Sequence, residues 1–335
     1  MELKISIIVP VYNRPEEIRE LLESLCLQTS NQNFEVVIVE DGSSESSEGI
    51  VNQFQEKLQV SYYFKSNSGP GDSRNFGMQK AKGNYFIILD SDCILPKQYL
   101  SEVEKELRND FVHCFGGPDA ADESFTTVQK AINYVMTSFF TTGGIRGGKK
   151  SVGKFQPRSF NMGISKEAFE KAGGFGRIHP GEDPDLTFRI WKAGYGSRLF
   201  PKAFVYHKRR IDWNKFYIQV NKFGRVRPIL NKWHPGTAKI TYWFPTVFII
   251  GLCSALVLLL IGSVIPMLLY SAYFFMLFVD ALANTKNIKV AFLAIFAALI
   301  QFTGYGIGFL KSTMLLNFSS KEPEELFPKL FFKKR

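Results

Sequence analysis

A chain of 335 residues exceeds one ordinary domain and can bury a sizeable core. Its formal net charge of +10 points to an anionic partner: a nucleotide, a lipid surface or a nucleic acid. The four cysteines, Cys26, Cys93, Cys114 and Cys253, form no CxxC pair and have no metal-like spacing. That favours buried, reduced thiols, which suit a reducing compartment.

In chain order, "MELKISIIVPVYN" opens directly as a strand, with too short an apolar run and no cleavage pattern for a leader. Residues before 240 are therefore expected on the cytoplasmic side. "ISIIVPVYN" and "FEVVIVEDGS" are β-branched, nearly continuous apolar runs that end in polar turns, as parallel strands buried on both faces do. Between them "RPEEIRELLESLCLQ" has helical spacing, with Pro15 and acids in its first turn. "VSYYFK" predicts a third strand, "PGDSRNFGMQKAKG" a short helix ending at Gly83, and "NYFIILDSD" a fourth strand. Alternating segments of this kind make a doubly wound α/β domain, whose ligands bind beyond the carboxyl ends of the strands. Asn13, Asp41, Asp90 and Asp92 all fall at such ends.

Further on, "FVHCFGGPDA" predicts a strand and turn, and "TTGGIRGGKK" a Gly-rich basic loop. "SKEAFEKAGGF" predicts a helix capped by Ser165 and stopped at Gly173, and "DPDLTFRIWKAGY" a helix ending at Gly194. Residues 202–239 carry many Lys and Arg and a single acid, Asp212. Because an apolar region follows, this stretch fits a cytoplasmic membrane flank better than a nucleic-acid patch. Trp213, Phe216, Tyr217, Val220 and Phe223 interleave with its basic residues. They fit either a helix in the headgroup region or an ordinary packed helix.

From Tyr242 the character changes. Residues 242–263 hold no charge, a second run continues from Pro266 to Val279, and a third spans Val290 to Leu310. A crossing needs roughly 20 apolar residues, so the first and third qualify and the middle one is marginal. The division expected is a catalytic domain over 1–210, a basic amphipathic segment over 211–240, a transmembrane region over 241–318 and a basic tail over 319–335.

The acids carry the chemistry. Asp90 and Asp92, one residue apart at a strand end, suit Mg²⁺ or Mn²⁺ completed by substrate phosphates; a solvated turn is the plain alternative. Being close, each is expected to raise the other's proton affinity. Asp41 could accept a hydrogen bond from a base N–H, and Arg74 lies near a helix start where phosphate is served well. Glu182 and Asp183 precede a helix, where a carboxylate could act as general base or merely face the helix dipole.

The blocks "SIIVPVYNR", "VIVEDGSSE", "GPGDSRNFGMQKAKGNYFIILDSDC", "NMGISKEAFEKAGGF" and "GEDPDLTFRIWKAGY", in this order, resemble those of family-2 inverting glycosyltransferases with the A-type fold. The resemblance covers about residues 4–210. It implies that Pro10, Tyr12 and Asn13 line the nucleotide pocket, that Asp41 holds the base and that Arg74 lies by the phosphates. It further implies that Asp90 and Asp92 form a D-x-D metal site and that Asp183, beside Glu182, is the catalytic base. His207 falls where many members carry a further metal ligand, its alternative being a headgroup-facing basic cluster. Glu40–Asp41 replaces the usual double acid, and "QVNKFGRVRP" lacks the Q-x-x-R-W signature of processive synthases, so transfer of one sugar is preferred.

The expectation is a membrane-anchored, metal-dependent transferase. It moves a sugar from a nucleoside-diphosphate sugar, UDP-sugar favoured, to a lipid-linked or saccharide acceptor, with no nucleic-acid partner. Its site faces the cytoplasm at the cytoplasmic membrane. A polyprenyl-phosphate sugar synthase or an inactive nucleotide-binding scaffold are the alternatives. Three crossings would place the basic tail on the far side against the positive-inside bias. An even number is therefore expected, with the run holding Gly304, Gly306 and Gly308 broken or re-entrant and the tail, Phe327 to Arg335, anchored at the interface.

Overall fold

The computed structural model describes residues 2–30, 33–120, 125–143, 155–207 and 212–333. Most of the Gly-rich basic loop, 144–150, and the basic residues 208–210 lie outside the described residues. The first elements in chain order are β1 (Ile5–Val11), α1 (Pro15–Cys26), β2 (Phe34–Asp41), α2 (Glu48–Asn52), β3 (Gln59–Lys65), α3 (Pro70–Lys80), β4 (Tyr85–Leu89), β5 (Cys93–Ile94) and α4 (Tyr99–Asn109). They continue as β6 (Cys114–Gly116), β7 (Asp119–Ala120), α5 (Thr127–Thr137), α6 (Phe139–Thr142), β8 (Asn161–Ser165), α7 (Lys166–Ala172), α8 (Glu182–Lys192), β9 (Ser197–Leu199) and β10 (Val205–His207). The last helices are α9 (Trp213–Trp233), α10 (Phe244–Leu260), α11 (Ile265–Thr285), α12 (Ile288–Phe318) and α13 (Pro323–Leu326).

Two units emerge, and the chain passes between them more than once. The described residues up to 120, with 155–207 and 331–333, form an α/β unit; 125–143 and 212–330 form a helical one. This differs from a single boundary after residue 210.

The α/β unit is built on a seven-stranded sheet of order β3-β2-β1-β4-β8-β6-β9. β3, β2, β1 and β4 are parallel, and β8 runs antiparallel to both β4 and β6. The apolar runs are continuous because alternate residues enter opposite cores. Ile7, Val9, Val36, Ile38, Ile87 and Leu89 meet α1 and α4 residues such as Ile18, Leu22 and Val103. Ile8, Val37, Val39, Phe86 and Ile88 meet Met78, Ala168, Leu186 and Ile190 of α3, α7 and α8. The polar ends of β1, β2 and β4 are thereby left at one edge of the sheet. A small second sheet of order β5-β10-β7 forms beside the β4 end, with His207 opposite Cys93.

Local signals mostly hold. Ser165 caps α7, its Oγ accepting from the Ala168 N–H at 3.1 Å, and Gly173 ends it with φ +79. α3 stops at Lys80, before Gly83, because Ala81 is already extended. On α1 the buried face is Ile18, Leu21, Leu22 and Leu25; Cys26 falls off that stripe and is exposed rather than buried. Cys253, on α10, is exposed too, whereas Cys93 and Cys114 are buried.

Among the described residues of the helical unit, three helices are long and apolar enough to cross a membrane: Ile240–Leu260, Ile265–Thr285 and Ile288–Phe318. The stretch that looked marginal extends into a full α11. α12 runs unbroken through Gly304, Gly306 and Gly308, so the expected break there is absent. These glycines serve contact instead. A Cβ on Gly308 would lie 2.4 Å from the Asn221 carbonyl oxygen of α9, and one on Gly306 would lie 3.0 Å from the Pro245 carbonyl oxygen of α10. Side chains fasten both crossings: Asn221 Nδ2 donates to Gly304 O at 2.9 Å and Thr246 Oγ1 to Gly306 O at 3.0 Å. In the aromatic stripe of α9, Phe216 and Val220 are buried and Trp213 is edge-on to Phe296 at 5.0 Å, while Tyr217 is exposed.

Gly308→Leu should force α9 and α12 apart and lower stability by about 1–3 kcal/mol. Gly49→Ala, at a helical site with open space around it, should leave the melting point unchanged or slightly raised. Thermal unfolding in detergent, read by intrinsic fluorescence, compares the two; equal melting points would refute the close crossing.

Candidate active site

Three strand ends supply the frame. After β1, Asn13 adopts φ +53, which asparagine tolerates better than most residues. Its Oδ1 accepts from the Ser44 N–H at 2.8 Å and the Glu45 N–H at 3.1 Å, holding the loop after β2. Pro10 is buried within β1 opposite Val39, while Tyr12, just past the strand, is 52% exposed. At the end of β2, strand alternation sends neighbouring acids to opposite sides. Glu40 takes the Ser47 N–H at 2.8 Å and the Ser43 hydroxyl. Asp41 takes the Ser68 and Gly69 N–H groups, both at 2.9 Å, and pairs with buried Lys65. Asp41 thus ties down the loop that opens α3.

Arg74, on α3, is 4% exposed and is the centre of the site. Its Nη2 donates to Asp90 Oδ1 at 2.8 Å and its Nη1 to Glu182 Oε1 at 3.2 Å, with the guanidinium 5.3 Å over the Phe175 ring. Glu182 Oε1 also meets His179 Nδ1 at 2.9 Å. Burial alone would raise the Glu182 carboxyl, but His179 and Arg74 hold it down at about 2. Asp183 goes the other way: burial and the neighbouring Glu182 charge push its carboxyl up, against Arg74, Arg158 and a hydrogen bond from Ser159. Its Oδ1 is buried without a hydrogen-bond partner among the described residues. Of the two acids, Glu182 is the committed ion-pair partner and Asp183 keeps an oxygen free for a proton.

Asp92, two residues past Asp90, serves different cations. Arg14 Nη1 donates to its Oδ2, and His207 Nε2 lies 3.0 Å from its Oδ1. Burial would raise Asp92, yet His207 and Arg14 hold its carboxyl down to about 2. The expectation that Asp90 and Asp92 raise each other's proton affinity therefore fails at Asp92, because imidazole and guanidinium stand on it. The register of β10 against β5 delivers His207 there, and Phe160 stacks on its ring at 5.1 Å. The residues fit a hard divalent cation. A donor separation of 3.0 Å matches the ~3 Å between adjacent vertices of an octahedron with bonds of about 2.1 Å. Cys93 Sγ lies within 4.8 Å of the same donors, but it donates to the Phe160 carbonyl at 3.4 Å and is a soft atom that such an ion does not select.

All the acids singled out from the sequence thus come to one edge, with His207 beside Asp92. Arg74 differs from its expected place by the phosphates: both terminal nitrogens are spent on acids. Arg14, Lys65 and His179 were missed. Arg14 ends the quoted block "SIIVPVYNR" and His179 stands two residues before "GEDPDLTFRIWKAGY", so proximity to the site acids was the available signal.

This geometry agrees with the comparisons. The chain belongs to glycosyl transferase family 2, which matches residues 6–173. It is similar to the probable glycosyltransferase YdaM of Bacillus subtilis, 27% identical over 66% of this chain and 54% of that one. It is also similar to an uncharacterized glycosyltransferase of Haemophilus influenzae, 32% identical over 56% of this chain and 61% of that one. A Rickettsia felis relative is 35% identical, but over only 42% of this chain and 23% of its own length; the chain spans only part of each of these relatives. Among solved structures, the mannosyltransferase PcManGT of Pyrobaculum calidifontis, in complex with GDP-Man and Mn²⁺, superposes with a TM-score of 0.61. That likeness covers 92% of this chain and 88% of the other at 16% identity, and speaks for the fold alone.

The Glu182 charge contributes stability that is fully present above its unfolded value near 4.5 and lost as pH falls towards about 2. Glu182→Gln should cost about 3–5 kcal/mol at neutral pH, because Arg74 and His179 lose a shared carboxylate. The variant should also lose stability less steeply than the parent between those two pH values. Denaturant titrations across the acid range check both statements.

Proposed function

We propose that this chain is a membrane-anchored inverting glycosyltransferase that moves one sugar from a nucleoside-diphosphate sugar to a hydroxyl of a lipid-linked saccharide. One observation carries the reading: Asp183 has a buried oxygen without a hydrogen-bond partner and a carboxyl pushed upward, as a general base requires. Asp183 takes the acceptor hydroxyl proton, and the oxygen attacks the anomeric carbon opposite the nucleoside diphosphate. The bond to that diphosphate breaks with its electron pair, so configuration inverts. Glu182, held by Arg74 and His179, fixes the start of α8 and therefore Asp183. Asp92 and His207 would hold Mg²⁺ or Mn²⁺, completed by substrate phosphates, while Asp90 stays on Arg74. Bound there, such a cation offsets charge on a departing diphosphate. The loops tied by Asn13, Glu40 and Asp41 frame the nucleotide, and the Mn²⁺ and GDP-Man held by the similar mannosyltransferase agree with that donor class.

A polyprenyl-phosphate acceptor is already ionised and needs little base catalysis, so the pushed-up Asp183 favours a hydroxyl acceptor over a polyprenyl-phosphate synthase. The test offers UDP- and GDP-sugars with polyprenyl-linked saccharide or polyprenyl phosphate, with and without chelator. Asp183→Asn is expected to lose transfer about 10²–10⁴-fold with nucleotide binding intact. Wild-type turnover in that variant removes the base assignment, undiminished activity in excess chelator removes the metal, and no released nucleoside diphosphate from any pair favours a scaffold.

The α/β unit faces the cytoplasm in this reading, and the chain crosses the membrane an even number of times. Two observations support it. Phe331 bridges to Ile178 of the α/β unit, so the chain beyond α13 lies on that unit's side. The second half of α12 lies along α9, which carries Lys215, Lys222, Arg225, Arg227 and Lys232 and no acid. A helix so charged stays out of hydrocarbon, and the remaining Ile288–Thr303 stretch is only ~24 Å long. α10 and α11 then form the crossing hairpin. With Cys26 and Cys253 replaced by serine, Ile261→Cys should react with an impermeant thiol reagent in intact cells, and Lys321→Cys only after permeabilisation. Labelling of Lys321→Cys in intact cells would require an odd number of crossings.

A further inference from the structure

The short segment following the apolar helices meets the site at two points. The Phe332 N–H donates to the Arg177 carbonyl at 3.0 Å, next to the Phe331–Ile178 bridge. The Phe332 ring lies 5.9 Å from the His179 ring, tilted by 50°. It also covers Gly69, where an added Cβ would come within 2.4 Å of the ring. Gly69 has φ +95, so two constraints keep a side chain out of this spot. Both contacts lead inward. Gly69 donates its N–H to Asp41 Oδ2 at 2.9 Å, and its carbonyl accepts the Ser73 N–H at 3.1 Å in the first turn of α3, which carries Arg74. His179 holds Glu182 at 2.9 Å, and Asp183 is the next residue.

The turn before α8 is held at both ends by α3: Arg74 takes Glu182 and lies over the Phe175 ring. Asn75 fixes its beginning through Phe175, donating to the Phe175 carbonyl at 2.9 Å and accepting the Phe175 N–H at 2.8 Å. Arg177 and Ile178, further along, take their backbone partners from Phe332 and Phe331. Phe332 therefore packs between the Asp41 loop and the middle of the His179 turn, adding to the Arg74–Glu182 pair that joins α3 to α8.

The geometry points to Phe331–Phe332 as positioning residues of the donor-sugar site: they set the spacing between the Asp41–Gly69 loop and the His179–Glu182 turn, and so the aim of Asp183. This rests on the transferase reading given above. The segment touches no reacting atom; it acts through His179 and Gly69. A displacement of Asp183 by about an ångström is enough to cost roughly 10²-fold in rate.

The experiment uses the full chain in nanodiscs with Phe332→Ala, Phe332→Tyr and a truncation after Leu330. Three readouts are taken: transfer kinetics, nucleoside-diphosphate binding, and hydrogen–deuterium exchange of residues 66–72 and 177–183. Phe332→Ala and the truncation should lower kcat roughly 10- to 100-fold and speed exchange in those two segments only, with thermal unfolding little changed. Phe332→Tyr, which keeps the ring, should restore both. Unaltered kcat and exchange in Phe332→Ala overturn the proposal, as does a loss that tracks a fall in melting temperature throughout the α/β unit. If the wild-type chain transfers no sugar, the transferase reading fails by itself. Exchange and nucleotide binding then decide the role of Phe332: local loosening with weakened binding supports it, and no change overturns it.

Discussion

The site is organised around one buried cation. The Arg74 guanidinium, 4% exposed, sits between Asp90 at the end of β4 and Glu182 at the start of α8. Charges so placed lose hydration that only near-ideal pairing restores, and removing one strands the others. The two carboxylates keep Arg74 charged despite its burial. The ends of elements far apart in sequence are thereby fixed relative to one another. The arrangement also gives Asp90 a different partner from Asp92, which pairs with Arg14 and His207. The two acids of the D-x-D pattern are one residue apart and answer to different partners.

Much of the α/β unit was legible because strands buried on both faces write continuous apolar runs, and because acids that interrupt such runs must lie at their ends. Ile7 and Ile8 belong to separate cores, which is why no alternation shows. The caps of α7 were legible for a similar reason: Ser165 and Gly173 satisfy local backbone needs with local residues. Long-range partners were not legible. No periodicity says that Arg74 will take Glu182, or that the register of β10 on β5 will bring His207 to Asp92. The mutual proton affinity expected of Asp90 and Asp92 failed on that account, since it considered two neighbours and not the cations that arrive from elsewhere.

Apolar composition had a comparable blind spot in the helical unit. Hydropathy weighs a residue equally whether it faces lipid or another helix. Of the windows that define the three apolar helices, that of α12 is 44% buried, against 17% for α10 and 11% for α11. Gly304, Gly306 and Gly308, which read as helix breakers, are where neighbouring backbones approach most closely, and Asn221 and Thr246 bond to the carbonyls exposed there. In a helix packed on both sides, glycine removes bulk at the contact, and the backbone remains helical because its own hydrogen bonds do not depend on the side chain.

The pairing of Phe331 with Ile178 has a bearing on biogenesis. It closes a loop that contains every apolar helix of the chain, and a contact of such sequence separation forms late because its loop-closure entropy must first be met. A chain whose helices have entered the bilayer with the wrong parity holds these two residues in different aqueous compartments, where no fluctuation can join them. In the even-crossing topology proposed above, membrane insertion would be proofread by this pair of backbone groups, and only a correctly threaded chain would complete the α/β unit.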